Sequence, residues 1–224
     1  MGVLDLIFPK SCLGCGKTGV YICPDCVAKV RLAKPICPYC ERASIDGLTH
    51  AKCTRENGLD GLASIWEYEG VIRRAILALK YKYSLEVGRE LSEVFIEYLQ
   101  NSKFLIPPSG VLVPIPIHWY RENFRGFNKS DLIGQGLAKE MGWKFAPDLL
   151  IKNKHTVAQA ELKGNDRRKN LKGTFAVNPA HIPYTIPNIL LFDDVFTTGS
   201  TLMEAAKTLK KGGVKKVWGL TICR

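Results

Sequence analysis

Two groups of residues in this 224-residue chain have the types and spacing to do chemistry. The first lies in residues 188–204. Ile189–Phe192 is a short apolar run, long enough for one buried parallel strand, and Asp193 and Asp194 follow it. Then come Thr197, Thr198, Gly199, Ser200 and Thr201, and a helical pattern of Leu202, Ala205, Ala206 and Leu209. A loop between a strand end and a helix start offers backbone N–H groups at the positive end of the helix, which suits an anion. The hydroxyls of Thr197, Thr198, Ser200 and Thr201 add donors, and Gly199 lets the backbone approach an oxyanion closely. Carboxylates repel a phosphate, so Asp193 and Asp194 suit another part of the same ligand, a pair of vicinal hydroxyls. The ligand these residues describe is a sugar phosphorylated at one end. Taken singly, Asp-Asp before a helix also serves as an N-cap, and Thr-Thr-Gly as a turn. The complete order of parts favours a site.

The second group is cysteine-rich. Seven of the eight cysteines fall within residues 12–53, as Cys12-x2-Cys15, Cys23-x2-Cys26, Cys37-x2-Cys40 and His50-x2-Cys53. Two ligands three positions apart sit on one tight knuckle, and two knuckles close a tetrahedral Zn²⁺ site with sulfur at about 2.3 Å. Eight ligands make two sites, one of four thiolates and one of three thiolates with His50. A disulfide framework needs an oxidising compartment, and a redox Cys-x-x-Cys needs one pair rather than four. Sequential pairing is the simplest; a cross-braced arrangement, or one ion with the other ligands idle and His50 an ordinary surface residue, stays open. The zinc is read as structural. It would supply the folding energy of a segment too short and too poor in large apolar residues for its own core.

The elements that must position these groups follow from periodicity. Leu62–Tyr68 reads as a strand; Val71–Leu79 and Leu85–Leu99 read as helices. Gly110–Val113 is a strand that runs into Pro114, Ile115, Pro116, Ile117 and His118. The alternating prolines argue against strand pairing beyond Val113. A helix follows over Ser130–Met141, capped by Asn128 or Ser130. Residues 152–172 carry seven basic and two acidic side chains with little apolar periodicity, the pattern of a long functional loop or of a solvated surface loop. Gly173–Asn178 and Lys215–Cys223 are further strands, Gly212-Gly213 ends the preceding helix, and Cys223 reads as a core thiol.

Composition bounds the class. The length holds one α/β domain with a small appendage, so we expect a metal segment over residues 1–58 and a larger domain over 59–224. No apolar run approaches the roughly 18 residues of a membrane span, and the start does not read as a signal peptide, so the expected location is the cytoplasm without membrane insertion. The net charge of +11 is concentrated in the second half, which favours a polyanionic partner over a merely solubilising surface.

Asp193 to Thr201 resembles the phosphoribosyl-diphosphate signature of type I phosphoribosyltransferases. The full succession is more specific: paired zinc knuckles, Val113-Pro114-Ile115-Pro116, Arg125-Gly126-Phe127-Asn128, then Thr156, Gln159, Leu162, Asn170, Gly173 and Phe175, then the phosphate signature. Over essentially its whole length the chain resembles the ComF family of competence-associated proteins. Lys129 stands where that family often has Gln, and His50 where it often has Cys.

The resemblance implies a type I phosphoribosyltransferase-like parallel-sheet domain behind a zinc-binding segment, and a role in handling single-stranded DNA during natural transformation. By the same resemblance Asp193 and Asp194 meet the ribose hydroxyls, and Thr197, Thr198, Gly199, Ser200 and Thr201 surround the 5-phosphate. Pro114, Ile115, Pro116, Ile117 and His118 form the diphosphate loop. Lys154, Gln159, Arg167 and Arg168 belong to a flexible loop that meets a polyanion. Trp119, Tyr120, Phe124 and Phe127 are candidates for base stacking. The expected ligands are single-stranded DNA, or phosphoribosyl diphosphate with Mg²⁺, or both, with DNA-uptake proteins as partners. Two other readings stand beside this one: an active phosphoribosyltransferase acting on a base or amine, and a non-catalytic scaffold whose zinc segment binds a partner. No residue identifies itself as catalytic.

Overall fold

The computed structural model describes residues 9–79, 84–102, 110–116, 128–153, 173–181 and 188–224. Ile117, His118, Trp119, Tyr120, Phe124, Phe127, Lys154, Gln159, Arg167 and Arg168 lie outside the described residues. Five strands form a parallel sheet: β1 (Gly61–Trp66), β2 (Val111–Pro114), β3 (Lys144–Phe145), β6 (Asn188–Val195) and β7 (Lys216–Cys223), in the order β1-β7-β6-β2-β3. The helices are α1 (Pro24–Val27), α2 (Gly70–Ala78), α3 (Ser84–Gln100), α4 (Lys129–Glu140) and α5 (Ser200–Lys211). The strand expected near Gly173–Asn178 is β5 (Phe175–Val177), which pairs antiparallel with β4 (Leu150–Lys152) outside the main sheet.

A parallel sheet needs cover on both faces, and the apolar run of β6 answers to that: Ile189–Phe192 is buried throughout. One core holds Trp66, Ile72, Leu91, Phe95, Ile133, Leu137 and Phe192, where α2, α3 and α4 meet the sheet. The other holds Leu62, Val113, Leu191, Leu202, Leu209 and Val217, under α5. No helix among the described residues is long and apolar enough to cross a membrane.

The cysteine-rich segment takes part in both cores. Cys12, Ile22, Cys23, Val27 and Val30 join the first, and Ile36 joins the second with Tyr39 against it. On either side of Ile36 the segment passes along the outer edge of β1. Ala33 N–H donates to Ile65 O at 2.8 Å, Glu67 N–H to Arg31 O at 2.9 Å, and Thr49 N–H to Asp60 O at 2.9 Å. An edge strand with unmet backbone groups invites pairing with another chain; here the segment covers both ends of that edge.

Two sequence expectations need correction. β6 does not stop at Phe192: it runs to Val195, with Asp193 opposite Thr221 and Val195 opposite Cys223 on β7, so both acids belong to the paired strand. β2 does not stop at Val113: Pro114 pairs with Phe192, and Ile115 N–H donates to Phe192 O at 2.8 Å. The proline is tolerated because N–H groups alternate sides along a strand. Leu112 faces β3, its carbonyl accepting from Ala146 N–H. Pro114 has the same parity, so its missing donor is directed to the side where β3 has already ended at Phe145.

Candidate functional site

The acid pair sits half-buried at the C-terminal end of β6, the end at which open α/β sheets hold ligands. Asp194 N–H donates to Asp193 Oδ1 at 2.9 Å, which draws the first carboxylate over the strand end. Beneath lies Cys223, whose Sγ is 3.8 Å from Asp194 O. Burial pushes the Cys223 thiol up, and the carboxylates of Asp194, Glu67 and Asp193 add to the rise, so it stays protonated under the site.

Beyond Phe196 the chain turns into α5. Gly199 is the N-cap residue, in the left-handed region at φ 67° and ψ 0°. A Cβ there would lie 2.6 Å from Phe196 Cε2, and Phe196 is itself buried, so only glycine fits. The internal ladder of α5 starts with Met203 N–H to Gly199 O at 2.8 Å, so the turn ahead of it directs its N–H groups out of the helix end. Thr198 Oγ1 and Ser200 Oγ stand 2.8 Å apart. Ser200 is buried, Thr198 and Thr201 are half-buried, and Thr197 is exposed. Across the sheet, Pro114 and the buried Ile115 continue β2 beside the acid pair, and Pro116 is half-buried. The arrangement brings two carboxylates, a hydroxyl-lined helix start and a proline-stiffened strand end to one sheet edge.

The sequence offers Asn128 as one of two candidate caps and as the last residue of the Arg125-Gly126-Phe127-Asn128 run. It is the cap of α4: its Oδ1 accepts from Ser130 N–H at 3.2 Å. It also reaches the β2 end, where its Nδ2 donates to Ile115 O at 3.2 Å and to Asp131 Oδ1 at 2.8 Å. No periodicity or spacing in the sequence marks the reach to Ile115.

The cysteine knuckles gather in sequential pairs. Cys12, Cys15, Cys23 and Cys26 form one cluster, and Cys37, Cys40, His50 and Cys53 the other, with ligand atoms within 4.8 Å of one another in each. A tetrahedron with Zn–S arms of ~2.3 Å has edges of ~3.8 Å. Cys15 Sγ and Cys23 Sγ are 3.7 Å apart, which fits such an edge. In the second cluster His50 Nδ1 lies 3.3 Å from Cys40 Sγ, while its Nε2 donates to Ala43 O at 3.1 Å. That outer bond puts the ring proton on Nε2 and leaves the Nδ1 lone pair to the cluster, as a metal-bound imidazole requires.

One thiol in each cluster is prepared in the same way. Burial pushes Cys12 up, but the backbone N–H groups of Cys23, Cys15 and Gly14 outweigh it and lower it to about 6. Burial likewise raises Cys37, and the backbone N–H groups of His50, Cys40 and Tyr39 bring it down to about 7. Each cluster thus has a sulfur that peptide donors bias toward the thiolate, and its donor set fits a structural Zn²⁺ with every position filled by protein.

Residues 3–54 match the family model of a double zinc ribbon domain. Competence protein F of Haemophilus influenzae is 32% identical over 210 residues, covering 89% of this chain and 89% of its own. The DNA utilization protein YhgH of Salmonella typhimurium is 28% identical over 210 residues, covering 91% of this chain and 90% of its own. Among solved structures, glutamine phosphoribosylpyrophosphate amidotransferase from B. subtilis is similar over 62% of this chain and 27% of its own, at 15% identity and a TM-score of 0.41. An overlay that loose carries no argument beside the two full-length relatives.

Proposed function

Since the chain belongs to the ComF family, a double zinc ribbon ahead of a phosphoribosyltransferase-like parallel-sheet domain, we propose that it serves in DNA uptake and utilization, with a ribose phosphate bound at the end of β6. The observation that carries this reading is the succession of Asp193 and Asp194, inside the strand, and the Gly199 turn with its hydroxyls. Ribose hydroxyls donate to the acids, and the 5-phosphate accepts from the helix start and from Thr198, Gly199, Ser200 and Thr201. Phosphoribosyl diphosphate, carrying Mg²⁺ on its diphosphate, satisfies all three parts at once, with Pro114–Pro116 beside the diphosphate.

Single-stranded DNA fits elsewhere on the molecule. A deoxyribose within a strand has no 2′-hydroxyl and an esterified 3′-oxygen, so it offers no diol to paired acids, and its phosphates are repelled by them. The basic side chains at the end of α5 and the start of β7, Lys207, Lys211, Lys215 and Lys216, suit a phosphate backbone better. In this reading the protein binds the sugar phosphate in its cleft and the strand on its basic surface. Pentosyl transfer to a base or amine would be a further step at the same cleft.

Thermal unfolding tests the cleft. Phosphoribosyl diphosphate with Mg²⁺ raises Tm by several degrees at about 100 times Kd. Asp193→Ala with Asp194→Ala, in protein shown to stay folded, abolishes the shift. No shift in the parent protein at millimolar ligand rejects the sugar-phosphate reading. For the strand, four lysine–phosphate contacts give log K a slope of about −3 against log salt, and a slope near zero rejects that half.

A further inference from the structure

We infer that Asn128 is a positioning residue, which sets the spacing between the acid pair and the β2 end at Ile115 and so selects ligands that carry both a ribose and a diphosphate. This rests on the sugar-phosphate reading above and adds the residue that tunes it.

Ile115 links β6 to the start of α4. Its N–H donates to Phe192 O at 2.8 Å, and its carbonyl accepts from Asn128 Nδ2 at 3.2 Å. Pro114 and Pro116 restrict φ on either side of it. Both peptide planes of Ile115 are therefore held, one by β6 and one by α4. Phe192 is the residue directly before Asp193. A continuous hydrogen-bonded path thus runs from the acid pair through Phe192 and Ile115 to the Asn128 side chain.

Asn128 is suited to hold a fixed distance. It is 5% exposed, and both amide hydrogens and the amide oxygen have named partners. One amide hydrogen meets Ile115 O, the other Asp131 Oδ1, and the oxygen accepts from Ser130 N–H. A flipped amide would set oxygen against both the Ile115 carbonyl and the Asp131 carboxylate, so the orientation is unambiguous. Capping alone needs only the oxygen, and Ser, Thr or Asp would serve equally. The NH₂ group is the part that capping leaves unexplained, and it is the part that reaches Ile115.

A ligand with only a ribose and a 5-phosphate uses the acids and the Gly199 turn. A ligand with a diphosphate at the anomeric carbon also meets the β2 end, so it alone senses where Ile115 and Pro116 stand. Loosening Asn128 should weaken the second ligand and leave the first unchanged.

The test is calorimetric titration with phosphoribosyl diphosphate and with ribose 5-phosphate, both with Mg²⁺, on the full chain. Asn128→Ser keeps a capping hydroxyl and loses the reach to Ile115. We expect it to weaken phosphoribosyl diphosphate about tenfold and to leave ribose 5-phosphate within about twofold. A merely structural role would weaken both ligands in parallel, whatever the change in Tm. That result, or an unchanged ratio, overturns the inference. Should Asn128→Ser not fold, Asp131→Ala withdraws the partner that orients the amide while the Asn128 cap remains; a smaller shift of the same ratio supports the inference, and no shift overturns it. A parent protein that binds neither ligand removes the sugar-phosphate reading, and this inference with it. Binding of both by the parent with no change of ratio removes the inference alone.

Discussion

Gly199 shows how narrowly one residue can be specified. Its φ of 67° and the 2.6 Å approach of a would-be Cβ to Phe196 act together. Gly199→Ala should cost about 3 kcal/mol, part from the left-handed backbone and part from overpacking against a buried ring. Chemical denaturation reads the loss, and a cost below about 1 kcal/mol would mean the turn relaxes freely. A second residue-scale case is Glu69. Hydrogen bonds from the Arg31 guanidinium and backbone N–H lower its carboxyl to about 2. A carboxyl lowered in the folded state stabilises above its unfolded pKa, here near 4.5, and that contribution is lost as pH falls through about 2. Glu69→Gln should therefore lower stability slightly above about pH 4.5, leave it unchanged below about 2, and so flatten the acid limb between those limits; the effect is small because the pair is exposed to solvent.

At the scale of elements, α3 is the member that ties the metal segment to the sheet. Glu90 Oε2 accepts from Tyr21 N–H at 2.7 Å and from Ile22 N–H at 3.1 Å, one residue ahead of Cys23. Glu90→Ala leaves Ile22 N–H without that acceptor at a buried position. The cost should be about 1–3 kcal/mol, with faster zinc loss to a chelating dye; an unchanged release rate would separate the helix from the metal cluster. The same scale shows what was readable beforehand. The helices at Gly70–Ala78, Ser84–Gln100 and Lys129–Glu140 follow from local periodicity, and the knuckles follow from spacing. The continuation of β6 through Asp193 and of β2 through Pro114 did not, because both depend on neighbouring strands rather than on local sequence. Asn128 was legible as a cap and not as a link to Ile115, since that contact spans 13 positions and leaves no periodic trace. The apolar residues that the metal segment lends to the sheet, among them Ile22, Val27, Val30 and Ile36, are scattered between ligands and read as a loop-rich strip with no core.

For the molecule as a whole, the metal segment and the parallel sheet should unfold together. Cys12 and Cys23 share a core with Trp66 and Phe192, and Ile36 shares the other with Leu191 and Val217. Removing zinc with a strong chelator should lower Tm across the entire chain in one cooperative transition, followed by far-ultraviolet circular dichroism and by calorimetry together. Two separated transitions would show that the segment melts by itself. The strip laid along β1 has a consequence for solubility. Without its metal that strip loses its shape, and the flank of β1 lies open as a template for the same flank on another copy. Zinc-starved preparations should accumulate sheet-rich, dye-binding aggregates, so the supply of one ion would govern how much of this protein a cell can keep in solution.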